Sequence, residues 1–238
     1  MKIGVIGGNG VAATNLLCNM IERKVTAQGA FRDAHHPEMV VWQATGVPSR
    51  SMFLEGRGPD WRPDYIRIAR QLKQLGCEIG CMCCNTAHYA VDEVAEKSGL
   101  KFINLLNEVV ASAQRTGENC FELFCSDGAR KFDLYGHAFR KNFPEAKIVY
   151  PSDDRQRLVT KVICDVKNKA RFLEADDEAS PRFLLQSLLE SACMPVILGC
   201  TDLRVALGIE NELHHRVAVC SLGCLADAIV ALHREHGK

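Results

Sequence analysis

The 238 residues suffice for one large domain or two small ones, and 47% hydrophobic with 24% charged residues describes an ordinary globular chain. Lys plus Arg and Asp plus Glu number 29 each, so no global basic field draws nucleic acid or anionic lipid, and no apolar run is long enough to span a bilayer. Nothing resembles a signal peptide, so the expected compartment is the cytoplasm, where the twelve cysteines are free thiols, mostly buried as small hydrophobes.

In chain order, residues 2–6 read as a strand, followed by the turn Gly7-Gly8-Asn9-Gly10 and a helix over 11–24. Residues 39–43 form a second strand, and 64–75 a helix with apolar residues near helical spacing (Ile66, Ala69, Leu72, Leu75). A third strand, 79–83, runs into a helix that reaches Lys97 and stops at Gly99; a short strand at 102–104 leads into a helix through Gln114. The second half repeats the plan. It has a strand at 121–125 ending in Ser126-Asp127-Gly128, a helix over 131–143, a strand at 147–150, helices over 155–168 and 181–191, and a strand at 196–198.

This alternation implies βαβ units, mostly parallel sheets, and ligands at the carboxyl ends of the strands. The halves share almost no sequence identity, yet each places a first-strand turn and a cysteine turn at nearly the same separation. The expected fold is therefore α/β with two similar lobes, 1–106 plus 216–238 and 107–215. The last strand (217–219) and helix (224–234) are expected to return to the first lobe.

Two segments carry chemistry: Cys84-Asn85-Thr86-Ala87-His88 and Gly199-Cys200-Thr201-Asp202-Leu203. Each sets a cysteine where an apolar strand ends and a helix begins, where unpaired backbone N–H groups and the helix dipole favour a thiolate. Two opposed thiols suit removal of a proton from one face of a carbon and its return to the other. Negative charge developing on a substrate carboxylate would meet the backbone amides after each cysteine, the hydroxyls of Thr86 and Thr201 and the Asn85 amide. This arrangement requires neither a metal nor another cofactor.

The two cysteine segments resemble the signature motifs of the aspartate/glutamate racemase family. Gly7-Gly8-Asn9-Gly10-Val11-Ala12-Ala13-Thr14 is similar to that family's Gly-Gly-Met-Gly-Pro-Glu-Ala-Thr element, and Pro48-Ser49-Arg50-Ser51 to its Pro-Asp-Arg-Thr segment. Lys167 falls where aspartate racemases carry a basic residue. The resemblance spans essentially the whole chain. It implies lobes related by a pseudo-twofold axis with the active site in the cleft between them, cofactor-independent 1,1-proton transfer, and a homodimer. Cys84 and Cys200 become the acid/base pair; Asn85, Thr86 and Thr201 hold the α-carboxylate; Arg50 and Lys167 meet a side-chain carboxylate, so that the partner is an acidic amino acid; and Ser126 contacts substrate. Asn9 in place of Met offers a hydrogen bond that Met cannot make, and Ala129 stands where relatives often carry a second hydroxyl.

Other readings stay open. Cys77, Cys81, Cys83 and Cys84 are crowded, but their spacing differs from the paired ligands of structural zinc. The glycine turn has the spacing of a dinucleotide loop with Ala13 in the third place, but no acidic residue closes a second strand. His88 could pair with Cys84 as a base or orient the turn. The remaining cysteines, Cys164 among them, read as packing residues. Maleate isomerases, which resemble this family, use a cysteine as nucleophile, and a non-catalytic protein that binds an acidic metabolite would keep the same cleft.

Overall fold

A computed structural model describes residues 1–208 and 213–236. Strands β1 (Lys2–Gly7), β2 (Glu38–Gln43), β3 (Ile79–Met82) and β4 (Lys101–Phe102) form one parallel sheet in the order β2-β1-β3-β4. Strands β5 (Cys120–Phe124), β6 (Lys147–Val149), β7 (Val196–Leu198) and β8 (Val217–Cys220) form a second in the equivalent order, β6-β5-β7-β8, also parallel. In each sheet the first and third strands lie side by side at the centre. Connections leave them in opposite directions, which opens a crevice at their carboxyl ends.

Helices α1 (Val11–Ala27), α2 (Arg50–Leu54), α3 (Arg62–Gln74), α4 (Val91–Ser98) and α5 (Leu105–Arg115) belong to the first half. Helices α6 (Asp127–Lys131), α7 (Leu134–Asn142), α8 (Asp153–Asp165), α9 (Pro181–Glu190), α10 (Thr201–Leu207) and α11 (Ser221–His236) follow. Several are stopped or started as the sequence suggests: Gly99 ends α4 in the left-handed region at φ 69°, and Asn104 accepts hydrogen bonds from the amides of Leu106 and Asn107 to cap α5. The five-residue helices α2 and α6 escape a periodicity argument, because they are too short to show a repeat.

The C-terminal segment corrects one expectation. Its strand β8 pairs with β7 and completes the second sheet, while its helix α11 lies on α1 and α5. A short apolar strand carries no mark of which sheet it will join, and β7 offers an open edge. One apolar core runs through both halves, from Ile3, Val5 and Leu17 to Phe121, Leu185 and Ile229; a second fills the outer face of the first sheet around Trp61, Tyr65 and Leu72. Among the described residues no helix is long and apolar enough to cross a membrane, and no three His, Cys, Asp or Glu side chains gather as a metal site.

Candidate active site

Each central strand delivers a turn to the crevice: Gly8-Asn9-Gly10 after β1, Cys84 after β3, Ser126 after β5 and Cys200 after β7. A cavity of about 320 Å³ opens among these turns, and Cys84 and Cys200 both border it. So do Asn9, Arg50, Asn85, Thr86, Ser126, Lys167 and Thr201, which brings every residue nominated from sequence to one place. A larger cleft of about 770 Å³ adjoins it through Asn9, Arg50, Lys167 and Asp202, and another of about 640 Å³ lies along α1 and α9, but neither has a thiol in its wall.

The first cysteine turn differs from expectation. Residues Thr86–Ala90 form a 3-10 helix, and α4 starts only at Val91, so Cys84 does not face the mouth of an α-helix. The Asn85 amide is turned away from the role foreseen for it: Nδ2 donates to Ser221 Oγ at 3.1 Å and Oδ1 accepts from Tyr135 Oη at 2.5 Å. These bonds fix the turn and leave the main chain as Asn85's principal contribution. His88 Nδ1 lies 2.9 Å from the carbonyl oxygen of Cys84, so the ring braces the backbone of the turn and does not meet the thiol. Burial lowers its pKa and keeps it neutral, and with Nδ1–H as the donor its buried Nε2 has no partner.

Cys200 is the N-cap of α10, in an extended conformation. There the expected preference for thiolate is reversed. Desolvation of the sulfur, then the carboxylate of Asp202 with Oδ2 4.0 Å from Sγ, push the thiol far above its usual value of 9.0; the Lys167 ammonium and the Asp202 backbone amide offset this only in part. Asp202 is almost fully buried and pairs with Lys167 Nζ at 2.9 Å. Burial lifts the Asp202 carboxyl above the usual range despite Lys167 and Arg50. Burial also works against the charge of Lys167, but Asp202 and the thiols outweigh it, so Lys167 is held firmly cationic.

The hydroxyls interlock across the two halves. Thr86 Oγ1 and Ser126 Oγ are 2.8 Å apart, Thr201 Oγ1 donates to the Cys83 carbonyl at 3.5 Å, and the Gly128 amide donates to Ser51 Oγ at 3.1 Å. Ser126 also caps α6 by accepting from the Ala129 amide. Arg50 Nη1 donates to the carbonyls of Pro48 (2.6 Å) and Val47 (3.3 Å), while Nε is buried without a partner. Asn9 Nδ2 donates to Tyr65 Oη, and Asn9 Oδ1 has no partner.

Asp202 lies inside the second cysteine motif but its pairing with Lys167 has no sequence signal, and Tyr65, Tyr135 and Ser221 brace the site from distant elements without any local signal. Cys164, expected as a packing residue, is placed differently. That side chain is exposed at the end of α8 and borders the cavity as a third thiol; Cys193 is exposed as well.

Two sheets of one strand order meeting at a shared cleft define the class, a two-lobed α/β fold. Residues 3–227 match the Asp/Glu/hydantoin racemase family, and the chain belongs to it. It is thus an isomerase of the amino-acid racemase type. Broad specificity amino-acid racemase RacX of Bacillus subtilis (strain 168) is 22% identical over 236 residues, covering 97% of both chains. Aspartate racemase of Picrophilus torridus superposes with a TM-score of 0.78 at 21% identity, over 98% of this chain and 94% of that one. Glutamate racemase isoform RacE1 of Bacillus anthracis gives a TM-score of 0.62 at 15% identity, over 99% and 82%. At such identities the solved structures speak for the fold.

Proposed function

We propose that the protein racemises an acidic amino acid, aspartate or glutamate, without a bound cofactor, Cys84 and Cys200 removing the α-proton from one face and supplying a proton to the other. The observation that carries this reading is that the two thiols, one from each lobe, border a single cavity of about 320 Å³. One thiolate removes the α-proton while the opposite thiol delivers another, which inverts the carbon. Cys200 starts as the protonated partner, because desolvation and Asp202 hold it so. Cys84 then acts as base for one enantiomer, and the roles exchange for the other.

The α-carboxylate takes hydrogen bonds from Thr86, Ser126 and Thr201 and from the backbone amides after the cysteines, which stabilises charge as it builds in the transition state. A side-chain carboxylate meets Arg50 and Lys167. Lys167 has three donors and gives one to Asp202, so two remain. The name of the Picrophilus torridus relative agrees with an acidic substrate. The test is proton NMR in D2O, without added cofactor, with L-aspartate and separately with L-glutamate. Loss of the α-proton signal with appearance of the D-enantiomer on chiral chromatography is the expected result. A folded, reduced sample that exchanges neither contradicts the reading. A covalent adduct with maleate, seen by intact-protein mass spectrometry, would favour the isomerase alternative.

A further inference from the structure

The wall of the cavity contains two hydrogen-bond acceptors that lack donors. Asn9 is 8% exposed and Asp202 3% exposed. Asn9 Nδ2 is held by Tyr65 Oη and Asp202 Oδ2 by Lys167 Nζ, yet Asn9 Oδ1 and Asp202 Oδ1 have no partner. The two residues border the same cavity, and the backbone brings them together at Gly10: a Cβ on that glycine would stand 2.2 Å from Asp202 Oδ1. The glycine thus lets the carboxylate lie against the loop that carries Asn9. Buried acceptors without donors are unfavourable by about 1–3 kcal/mol each, so a site that leaves two of them open is built for a group that donates.

We infer that Asn9 Oδ1 and Asp202 Oδ1 form the subsite for the substrate's α-ammonium group. This inference rests on the racemase reading above and deepens it. The other polar groups of the cavity sort differently: the hydroxyls of Thr86, Ser126 and Thr201 with the turn amides donate to a carboxylate, and Arg50 and Lys167 carry donors only, with no acceptor to offer an ammonium. An ammonium has three donors and one positive charge, and Asp202 supplies a buried carboxylate already partly uncompensated, since Lys167 does not fully offset its burial. The Tyr65 hydroxyl accepts from Asn9 Nδ2 and so holds the end of the amide opposite Oδ1.

The experiment pairs the amino acid that the wild-type enzyme exchanges faster in D2O with its analogue lacking the amino group: succinate for aspartate, glutarate for glutamate. Asn9→Leu should raise KM for the amino acid about tenfold, as loss of a hydrogen bond to a charged group does, and leave the inhibition constant of the dicarboxylate unchanged. Asn9→Asp, which keeps an acceptor, should restore KM. An equal change for both ligands, or for neither, overturns the assignment. Should Asn9→Leu fail to fold, the wild-type protein decides: the dicarboxylate should bind about tenfold or more weakly than the amino acid, and equal or tighter binding overturns the subsite. Absence of exchange with either amino acid would instead overturn the racemase reading and the subsite with it, whereas exchange with an unmoved ratio overturns the subsite alone.

Discussion

At Cys200 the local charges decide the protonation state. Catalysis needs one thiolate and one thiol, so activity should appear as the first thiol ionises and fall when the second does. Because desolvation and Asp202 hold the Cys200 thiol far above 9.0, that second loss is deferred. The equilibrium constant between enantiomers is unity, so kcat/KM is equal for both at every pH and should hold on the alkaline side past about pH 9. Lys167, also raised, remains cationic through this range. Asp202→Asn removes the carboxylate that raises Cys200, and its alkaline fall should come at lower pH. A wild-type fall centred near pH 8, or profiles that coincide for the two proteins, would contradict this. The sequence showed both cysteines but gave the wrong sign at Cys200: a motif reveals the helix mouth, whereas the desolvation of a sulfur and the aim of Asp202, two residues on, exist only in the folded chain.

At the scale of elements, the crevice depends on turns that no other backbone would make. Gly8 has φ 79°, and a Cβ there would lie 2.5 Å from the backbone nitrogen of Ala44. Gly8→Ala should therefore destabilise the protein by more than about 1 kcal/mol, well beyond an ordinary surface change, and lower Tm by several degrees. An unchanged Tm on thermal denaturation would contradict the account. Strands such as β1 and β5 and the longer helices were legible because apolar residues recur at fixed spacing or fill short runs. The short α2 was not legible, and only the Arg50 that it carries was, through the resemblance of its segment. The bracing of Asn85 by Tyr135 and Ser221 had no local trace, since it joins residues 50 and 136 positions apart. For the same reason the sheet that β8 joins could not be read: pairing is settled by an open edge elsewhere in the fold.

On the scale of the whole molecule, the two lobes share a core as well as a cleft. The apolar cluster from Ile3 to Ile229 is continuous between them, and the bonds Thr86–Ser126, Asn85–Ser221 and Thr201–Cys83 cross the cleft floor. The lobes should therefore unfold together, in one calorimetric transition whose van't Hoff and calorimetric enthalpies agree. Two resolved transitions would mean that the shared core is not cooperative. The repeated strand order was foreshadowed by the matching positions of the two cysteine turns, while the shared core, a property of packing, was not.

The central claim is that one thiol from each lobe handles the α-proton. Chiral chromatography of wild-type, Cys84→Ser and Cys200→Ser protein with the preferred acidic amino acid tests it most directly. Each serine hydroxyl keeps the shape but loses the acidity, so each variant should lose racemisation by at least about a hundredfold while folding as the wild type does. Full activity in either single variant would contradict the two-thiol mechanism.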